Sequence, residues 1–242
     1  LTAGNIIATN VSLVSGEDII NAAGSTKNVT ATNLRIEAEG SVGIATRHLT
    51  TDIGNLSASA ATGSIFITED DGVTVTDIAV TVTEFLSDAT TTTVTDAAQS
   101  DLTTGVNGDI VLVATLGNIT LNDGADADGE TVNANGSGRI LIDALAGSLT
   151  ANADLLSGTG IITLTGNVNV DLTAGVNVIT AANISIDAEN GALTMDGTAN
   201  VQATGSSARL AAALDLTAGN IIATNVSLVS GEDIINAAGS TK

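Results

Sequence analysis

Hydrophobic residues alternate with polar ones in short stretches along most of the chain, and each stretch contains a glycine. The positions in one such stretch are Ile110, Leu112, Ala114, Gly117, Ile119 and Leu121. A period of two is typical of a β-strand with one buried face. The glycine marks a place where the backbone has to turn sharply. The pattern therefore predicts pairs of short strands that are joined at a glycine corner.

This template recurs at nearly constant spacing. Copies begin at residues 10, 33 and 55 and again at 139, 161 and 183, so that they lie 22 or 23 residues apart. One copy is too small to fold alone, but stacked copies bury a continuous core. Connections between parallel strands prefer the right hand. The sequence therefore predicts an all-β, right-handed parallel β-helix (β-solenoid) with about ten coils of roughly 22 residues in each 215-residue repeat.

A longer repeat encloses the shorter one. Residues 1–27 and 216–242 have identical sequences, which gives an offset of 216 − 1 = 215 residues. The simplest explanation is a tandem array, in which 1–215 form one repeat unit and 216–242 begin the next. An overlap between excerpts of a longer polypeptide would also explain the identity, and it implies the same neighbouring copy.

Two segments interrupt the short period. Residues 70–108 are rich in threonine, and the pattern is compatible either with extra coils or with a protruding hairpin. Residues 122–138 read NDGADADGETVNANGSG and lack apolar alternation. The second segment is predicted to be a surface loop.

Composition limits the core and the partners. Hydrophobic residues make up 43% of the chain, with two Phe, one Met and no Trp, Tyr, Pro or Cys, so the core has to be aliphatic. The formal net charge of −21 disfavours binding to nucleic acid and to anionic membrane surfaces. No apolar run approaches the length needed for membrane insertion.

Acidic residues in the second irregular segment suggest a cation site. Hard cations such as Ca²⁺ take several oxygen ligands from loops that turn at a glycine. The candidate metal ligands are Asp123, Asp126, Asp128 and Glu130. Their spacing does not match an EF-hand, because Gly124 and Asn135 would occupy its first and last ligand positions. Apart from Ca²⁺, no cofactor is predicted.

Catalytic chemistry has little support in the sequence. The only histidine is His48, and no nucleophile-elbow motif accompanies it. Parallel β-helices also host polysaccharide lyases and hydrolases, but this chain offers almost no aromatic residues to hold a sugar ring. The chain is therefore predicted not to be an enzyme, and His48 is assigned to a surface or corner position.

Several runs resemble a known bacterial family. The runs NLRIEAEGSVGI, DIVLVATLGNITL, RILIDALAGSLTA and NISIDAENGALTM resemble the coils of large bacterial exoproteins and adhesins related to filamentous haemagglutinin. The resemblance implies a right-handed β-helix, secretion to the cell surface, and a role in adhesion, biofilm or surface fibres.

These observations favour a structural role. The leading hypothesis is a repeat of an extracellular filament or adhesin stalk, whose partners are identical repeats stacked end to end. The alternative is an adhesin that binds a host or matrix surface receptor through residues 70–108 or 122–138. An enzyme acting on acidic polysaccharide is the least favoured hypothesis.

Overall fold

The computed structural model describes residues 1–241, which form β-strands, turns and bends without any helix. The strands are β1 (Thr2–Ala3), β2 (Ile6–Ile7), β3 (Asn10–Ser15), β4 (Ile20–Asn21), β5 (Val29–Ala38), β6 (Leu49–Ala60), β7 (Ile65–Glu69), β8 (Val73–Val75), β9 (Ile78–Phe85), β10 (Thr91–Gln99), β11 (Leu102–Thr104), β12 (Ile110–Ala114), β13 (Ile119–Leu121), β14 (Glu130–Ala134), β15 (Ile140–Ala144), β16 (Leu149–Ala151), β17 (Asp154–Ser157), β18 (Ile162–Gly166), β19 (Val170–Leu172), β20 (Asn177–Thr180), β21 (Ile184–Ala188), β22 (Leu193–Met195), β23 (Asn200–Ala212), β24 (Leu216–Ala218), β25 (Asn220–Ser230) and β26 (Ile234–Asn236).

Strands pair in parallel with the strands of the next coil. Ile140 lies beside Ile162, and Ile162 lies beside Ile184, so that each step covers 22 residues. Twenty-two of the strands belong to one large sheet that is built in this way. The predicted all-β architecture with parallel strands is therefore confirmed, and the pairing is consistent with a β-solenoid.

Equivalent side chains form aliphatic columns through the stack. One column contains Leu13, Ile36, Ala58, Leu102, Val132, Leu155, Val178 and Val201. Each of these side chains is at most 7% exposed. The outward residues between them are more exposed, as the period of two predicts. Branched aliphatic residues suit this arrangement because they pack well on a pleated surface.

Asparagine side chains also form hydrogen bonds from one coil to the next. The side-chain amide of Asn33 donates to Asn10 Oδ1 at 2.6 Å, and that of Asn55 donates to Asn33 Oδ1 at 2.8 Å. Asn28 is fully buried, and its side chain donates to the carbonyl oxygen of Ala3 at 2.8 Å. These amides add side-chain hydrogen bonds between neighbouring coils, and Asn10, Asn33 and Asn55 are themselves register partners in the paired strands.

The threonine-rich segment contains a hairpin. Strands β9 and β10 pair in an antiparallel manner, with Thr83 opposite Thr93, and their outer halves are exposed. The flanking strands β8 and β11 belong to the coils and pair with β6. Of the two alternatives drawn from the sequence, the structure therefore has the hairpin, and only the middle of 70–108 leaves the stack.

The second irregular segment is not wholly a loop, as the sequence had suggested. Residues 122–129 form the loop, whereas Glu130–Ala134 is a strand that pairs with both β11 and β17. Val132 and Ala134 point inward and are fully buried. The strand escaped prediction because only two apolar residues mark it, and small polar residues surround them.

Candidate functional site

The two insertions meet on one side of the stack. A Cβ atom added to Gly124 would lie only 2.0 Å from Ser100 Oγ, so the loop backbone lies directly against the residue that follows the hairpin. An open cleft of about 540 Å³ lies at this junction, and residues from both insertions and from neighbouring coils line it. Its lining includes four acidic residues, Glu37, Asp101, Asp126 and Asp128.

Hydrogen bonds to strand β5 fix the base of the hairpin. Arg35 Nε donates to the carbonyl oxygen of Ala97 at 3.0 Å, and Gln99 Nε2 donates to that of Ile36 at 2.7 Å. The Arg35 guanidinium also pairs with Glu37 at 2.6 Å. These hydrogen bonds therefore fix the position of the segment that leads from the hairpin into β11.

Asp101 lies between the hairpin and β11 and points into the junction. Its backbone has a φ of 66°, in the left-handed region, and its carbonyl oxygen accepts a hydrogen bond from Ala58 N at 2.9 Å. The residue is only 3% exposed, and its Oδ1 atom has no hydrogen-bond partner. A buried carboxylate oxygen without a partner is costly, and in most proteins such an atom is satisfied.

The acidic loop brings two more carboxylates to the same place. Asp126 and Asp128 are exposed, and one carboxylate oxygen from each lies within 4.8 Å of the other and of an Asp101 oxygen. Asp128 Oδ1 accepts a hydrogen bond from Glu130 N at 2.8 Å, which fixes the turn. The carbonyl oxygen of Gly129 accepts from Asp154 N at 2.9 Å and anchors the loop to the next coil.

Carboxylates dominate the electrostatics around Asp101. Burial, followed by the charges of Asp126, Asp128, Asp123 and Glu130, raises the pKa of Asp101 to about 7. The salt bridges of residues 1–241 all involve other acidic residues. Within the described residues, no basic side chain forms a salt bridge with Asp101, Asp126 or Asp128.

The structure rearranges the ligand set that the sequence suggested. Asp126 and Asp128 come together, and Asp101 joins them in place of Asp123 and Glu130. Glu130 Oε2 instead accepts a hydrogen bond from Asn133 Nδ2 at 2.6 Å. Asp123 Oδ1 is buried without a partner beside the cluster. No spacing signal marks Asp101, because the fold alone places it opposite the loop.

His48 lies at a corner, away from the acidic junction. Its Nδ1 atom is 2.8 Å from Thr68 Oγ1, and its ring lies 5.7 Å from the ring of Phe66. Partial burial lowers the pKa of His48, which favours the neutral imidazole. The described contacts of this ring are thus a hydroxyl group and an aromatic face, with no carboxylate to orient it.

Glu69 is a fully buried carboxyl group inside the stack. Thr51 Oγ1 donates to its Oε2 atom, and Ile53 N donates to its Oε1 atom at 2.9 Å. Burial raises the pKa of Glu69 in spite of these hydrogen bonds, and the nearby charge of Asp52 adds to the increase. The folded state therefore binds a proton at Glu69 more tightly than the unfolded state does.

Replacing Glu69 with Gln should change how stability depends on pH. A carboxyl group with a raised folded-state pKa stabilises the fold below its unfolded pKa of about 4.3, and this contribution is lost as the pH rises through the folded value. We therefore expect Glu69→Gln to gain stability relative to the parent chain as the pH rises above about 4.3. Urea unfolding from pH 4 to pH 8 measures this difference, and the exposed Glu84→Gln variant is the control. Parallel pH profiles for Glu69→Gln and the parent chain would contradict the assignment.

Comparisons with protein-family models, with curated proteins and with solved structures give no match to this chain. Among the described residues, no helix has the length and apolar character that a membrane crossing requires.

Proposed function

We propose that the chain is a structural repeat of an extracellular filament or adhesin stalk, in which right-handed β-helix units stack end to end. The units belong either to one continuous polypeptide or to successive subunits. The observation that supports this proposal is the different burial of the two identical 27-residue segments. Placement outside the cell rests on the resemblance to exoproteins related to filamentous haemagglutinin.

The second copy exposes side chains that the first copy buries. Val11 is 6% exposed, whereas its equivalent Val226 is 48% exposed. Ile19 is fully buried, whereas Ile234 is 54% exposed. The sequences are identical, so the difference comes from the coil that starts at Asn28 and covers only the first copy. An equivalent coil stacked on the second copy would bury the same apolar surface.

The first copy is open on the opposite side. A Cβ atom on Gly16 would meet nothing within 4 Å, whereas one on the equivalent Gly231 would lie 1.9 Å from the carbonyl oxygen of Ala213. The coil that precedes the second copy is the source of this contact. The two ends of the chain are therefore complementary, since each lacks the neighbour that the other copy possesses.

Both copies make the same internal strand pairing. Thr2 pairs with Ile20, and Thr217 pairs with Ile235, so that each copy closes an 18-residue coil. Unpaired strand edges at the two ends favour the addition of a further coil. A head-to-tail contact between unlike faces that does not close into a ring produces an open filament.

The columns indicate how successive repeats would be oriented. The column from Leu13 ends at Ile221, which is equivalent to Ile6, because 221 − 215 = 6. The column from Ile19 ends at Val226, which is equivalent to Val11. The second copy is thus displaced along the coil by 13 − 6 = 7 or 19 − 11 = 8 positions relative to the first copy. In an array, the hairpins of consecutive repeats would then be rotated about the fibre axis instead of lying in one line.

Electron microscopy of an array of several repeats tests this proposal. The column from Leu13 to Ile221 has eight steps, fewer than ten because the insertions take residues out of the coils. At about 4.8 Å per step, we expect an unbranched fibre with an axial repeat of about 40 Å and hairpins that change side from one repeat to the next. Separate globular particles, or a fibre without a spacing near 4.8 Å along its axis, would contradict it.

A further inference from the structure

We propose that Asp101, Asp126 and Asp128 bind one Ca²⁺ ion and that this ion ties the base of the hairpin to the acidic loop. The site joins two segments that are 25 residues apart in the sequence (126 − 101 = 25). Binding of Ca²⁺ at this site does not depend on end-to-end stacking, because all three ligands lie within one repeat unit.

The buried state of Asp101 is the first observation that carries this proposal. Its Oδ1 atom has no partner although the residue is only 3% exposed, and the neighbouring charged groups are carboxylates. A buried charge is normally paired or bound to a metal. The carbonyl oxygen of Asp101 accepts a hydrogen bond from Ala58 N, so the backbone of Asp101 cannot shift without disturbing β6.

The spacing of the carboxylate oxygens is the second observation. One oxygen of each aspartate lies within 4.8 Å of the other two. Ca²⁺ binds oxygen at about 2.3–2.6 Å, so two ligands on opposite sides of the ion lie about 5 Å apart. The three oxygens therefore fit around a single ion of this size.

The chemistry of the ligands favours Ca²⁺ over other divalent cations. Zn²⁺ prefers cysteine and histidine, whereas this chain has no Cys and its one His contacts Thr68 and Phe66 and does not belong to the cluster. Mg²⁺ requires near-ideal octahedral geometry at about 2.0–2.1 Å, and it usually takes only one or two carboxylates. Ca²⁺ accepts irregular sets of six to eight oxygens, and the open cleft leaves room for water to complete the set.

Asp123 can strengthen the site without being one of its three defining ligands. Its Oδ1 atom is the other buried carboxylate oxygen in this cluster that lacks a partner. Its negative charge acts on Asp101, one of the three proposed ligands. Glu130 is engaged with Asn133, so its charge contributes at a distance.

The expected consequence of binding is local ordering of both insertions. Ser100 is already in contact with the loop at Gly124, and the ion would add a bond across this contact. We therefore expect Ca²⁺ to slow amide hydrogen exchange in residues 96–104 and 122–130 and to leave the remaining coils unchanged. Free energy of binding to the native state also appears as added stability.

Calorimetric titration of the EDTA-treated full chain with Ca²⁺ tests the proposal. We expect one saturable site in the parent chain. In Asp101→Asn, and in the double variant Asp126→Asn with Asp128→Asn, the affinity for Ca²⁺ should fall by a factor of about ten or more. The second variant changes only exposed side chains, so it is expected to fold. Asp71→Asn removes an exposed charge outside the cluster and serves as the matched control.

Thermal unfolding separates a metal site from a merely structural role for Asp101. Without Ca²⁺, Asp101→Asn should melt at a higher temperature than the parent chain, because it removes a buried carboxylate that has no partner. With Ca²⁺, the parent chain should gain stability while the variant does not. No saturable binding at millimolar Ca²⁺, or an equal loss of affinity in Asp71→Asn, would overturn the proposal, since the latter would indicate diffuse attraction to a chain of net charge −21.

Discussion

Alanine in place of Gly138 is expected to lower the free energy of unfolding by about 3 kcal/mol or more. The new Cβ atom would lie 2.1 Å from the carbonyl oxygen of Gly108 and 2.9 Å from its carbonyl carbon. Neither atom belongs to a flexible side chain, so the backbones of two coils would have to separate. Separation breaks the parallel pairing in the middle of the stack, where every coil depends on its neighbours.

The same close approach occurs on the neighbouring coils, which makes the expected loss cooperative. A Cβ atom on Gly108 would lie 1.9 Å from the carbonyl oxygen of Gly63, and one on Gly160 would lie 1.9 Å from that of Gly138. The carbonyl oxygen of Gly138 also accepts a hydrogen bond from Ser157 Oγ at 2.7 Å. A shift of Gly138 therefore disturbs contacts on both sides of its coil.

Gly16→Ala is the matched control for this substitution. The added methyl group meets nothing within 4 Å, and the backbone of Gly16 is not in the left-handed region. Replacing such a glycine is neutral or stabilises by up to about 1 kcal/mol, because it restricts the unfolded chain. Urea unfolding followed by circular dichroism compares the two variants. Equal stability of Gly138→Ala and Gly16→Ala would show that the close approach at Gly138 is not a constraint.

The repeating part of the fold was predictable because its physical cause is local. Ile110, Leu112 and Ala114 alternate with outward residues, and burial of one face of a strand requires that alternation. Gly117, chosen from the sequence as a corner, has a φ of 72°. Stacking then followed from the small size of each coil, which has no other way to bury its apolar face.

The acidic junction was only half predictable, because it depends on contacts between distant segments. Asp126 and Asp128 stand in a recognisable acidic loop, but Asp101 follows a threonine-rich segment without any metal-binding spacing. It becomes a candidate ligand only when the hairpin leaves the stack and Ser100 comes to lie against Gly124. The same limit applies to Gly138, whose importance comes from the carbonyl group of the coil beneath it.

Adding one further coil is expected to stabilise the end of the chain by about 2 kcal/mol. The added segment is a copy of residues 28–50, joined after Lys242. In the first repeat, Leu34 pairs beside Val11, and Val42 pairs beside Ile19. The copied residues should cover Val226 and Ile234 in the same way.

The magnitude follows from the surface that becomes buried. Val226 is 48% exposed and Ile234 is 54% exposed, and full burial of such a side chain contributes about 1.5–3 kcal/mol. Removing the remaining half of their exposure therefore contributes about 1 kcal/mol for each residue. The amide groups of residues 225–230 that now face the open end would also gain partners in the added coil.

Hydrogen exchange measures this effect at the residues concerned. Amides in 225–230 should become as protected as those in 10–15, which have the identical sequence and already carry the next coil. The matched control is the same added segment with Leu34→Ser and Val42→Ser in the copy, which keeps the length and removes the apolar cover. If the unaltered and the control extensions protected residues 225–230 equally, the coil would not continue in the register of the first repeat. The stacking that the filament requires would then have lost its physical basis.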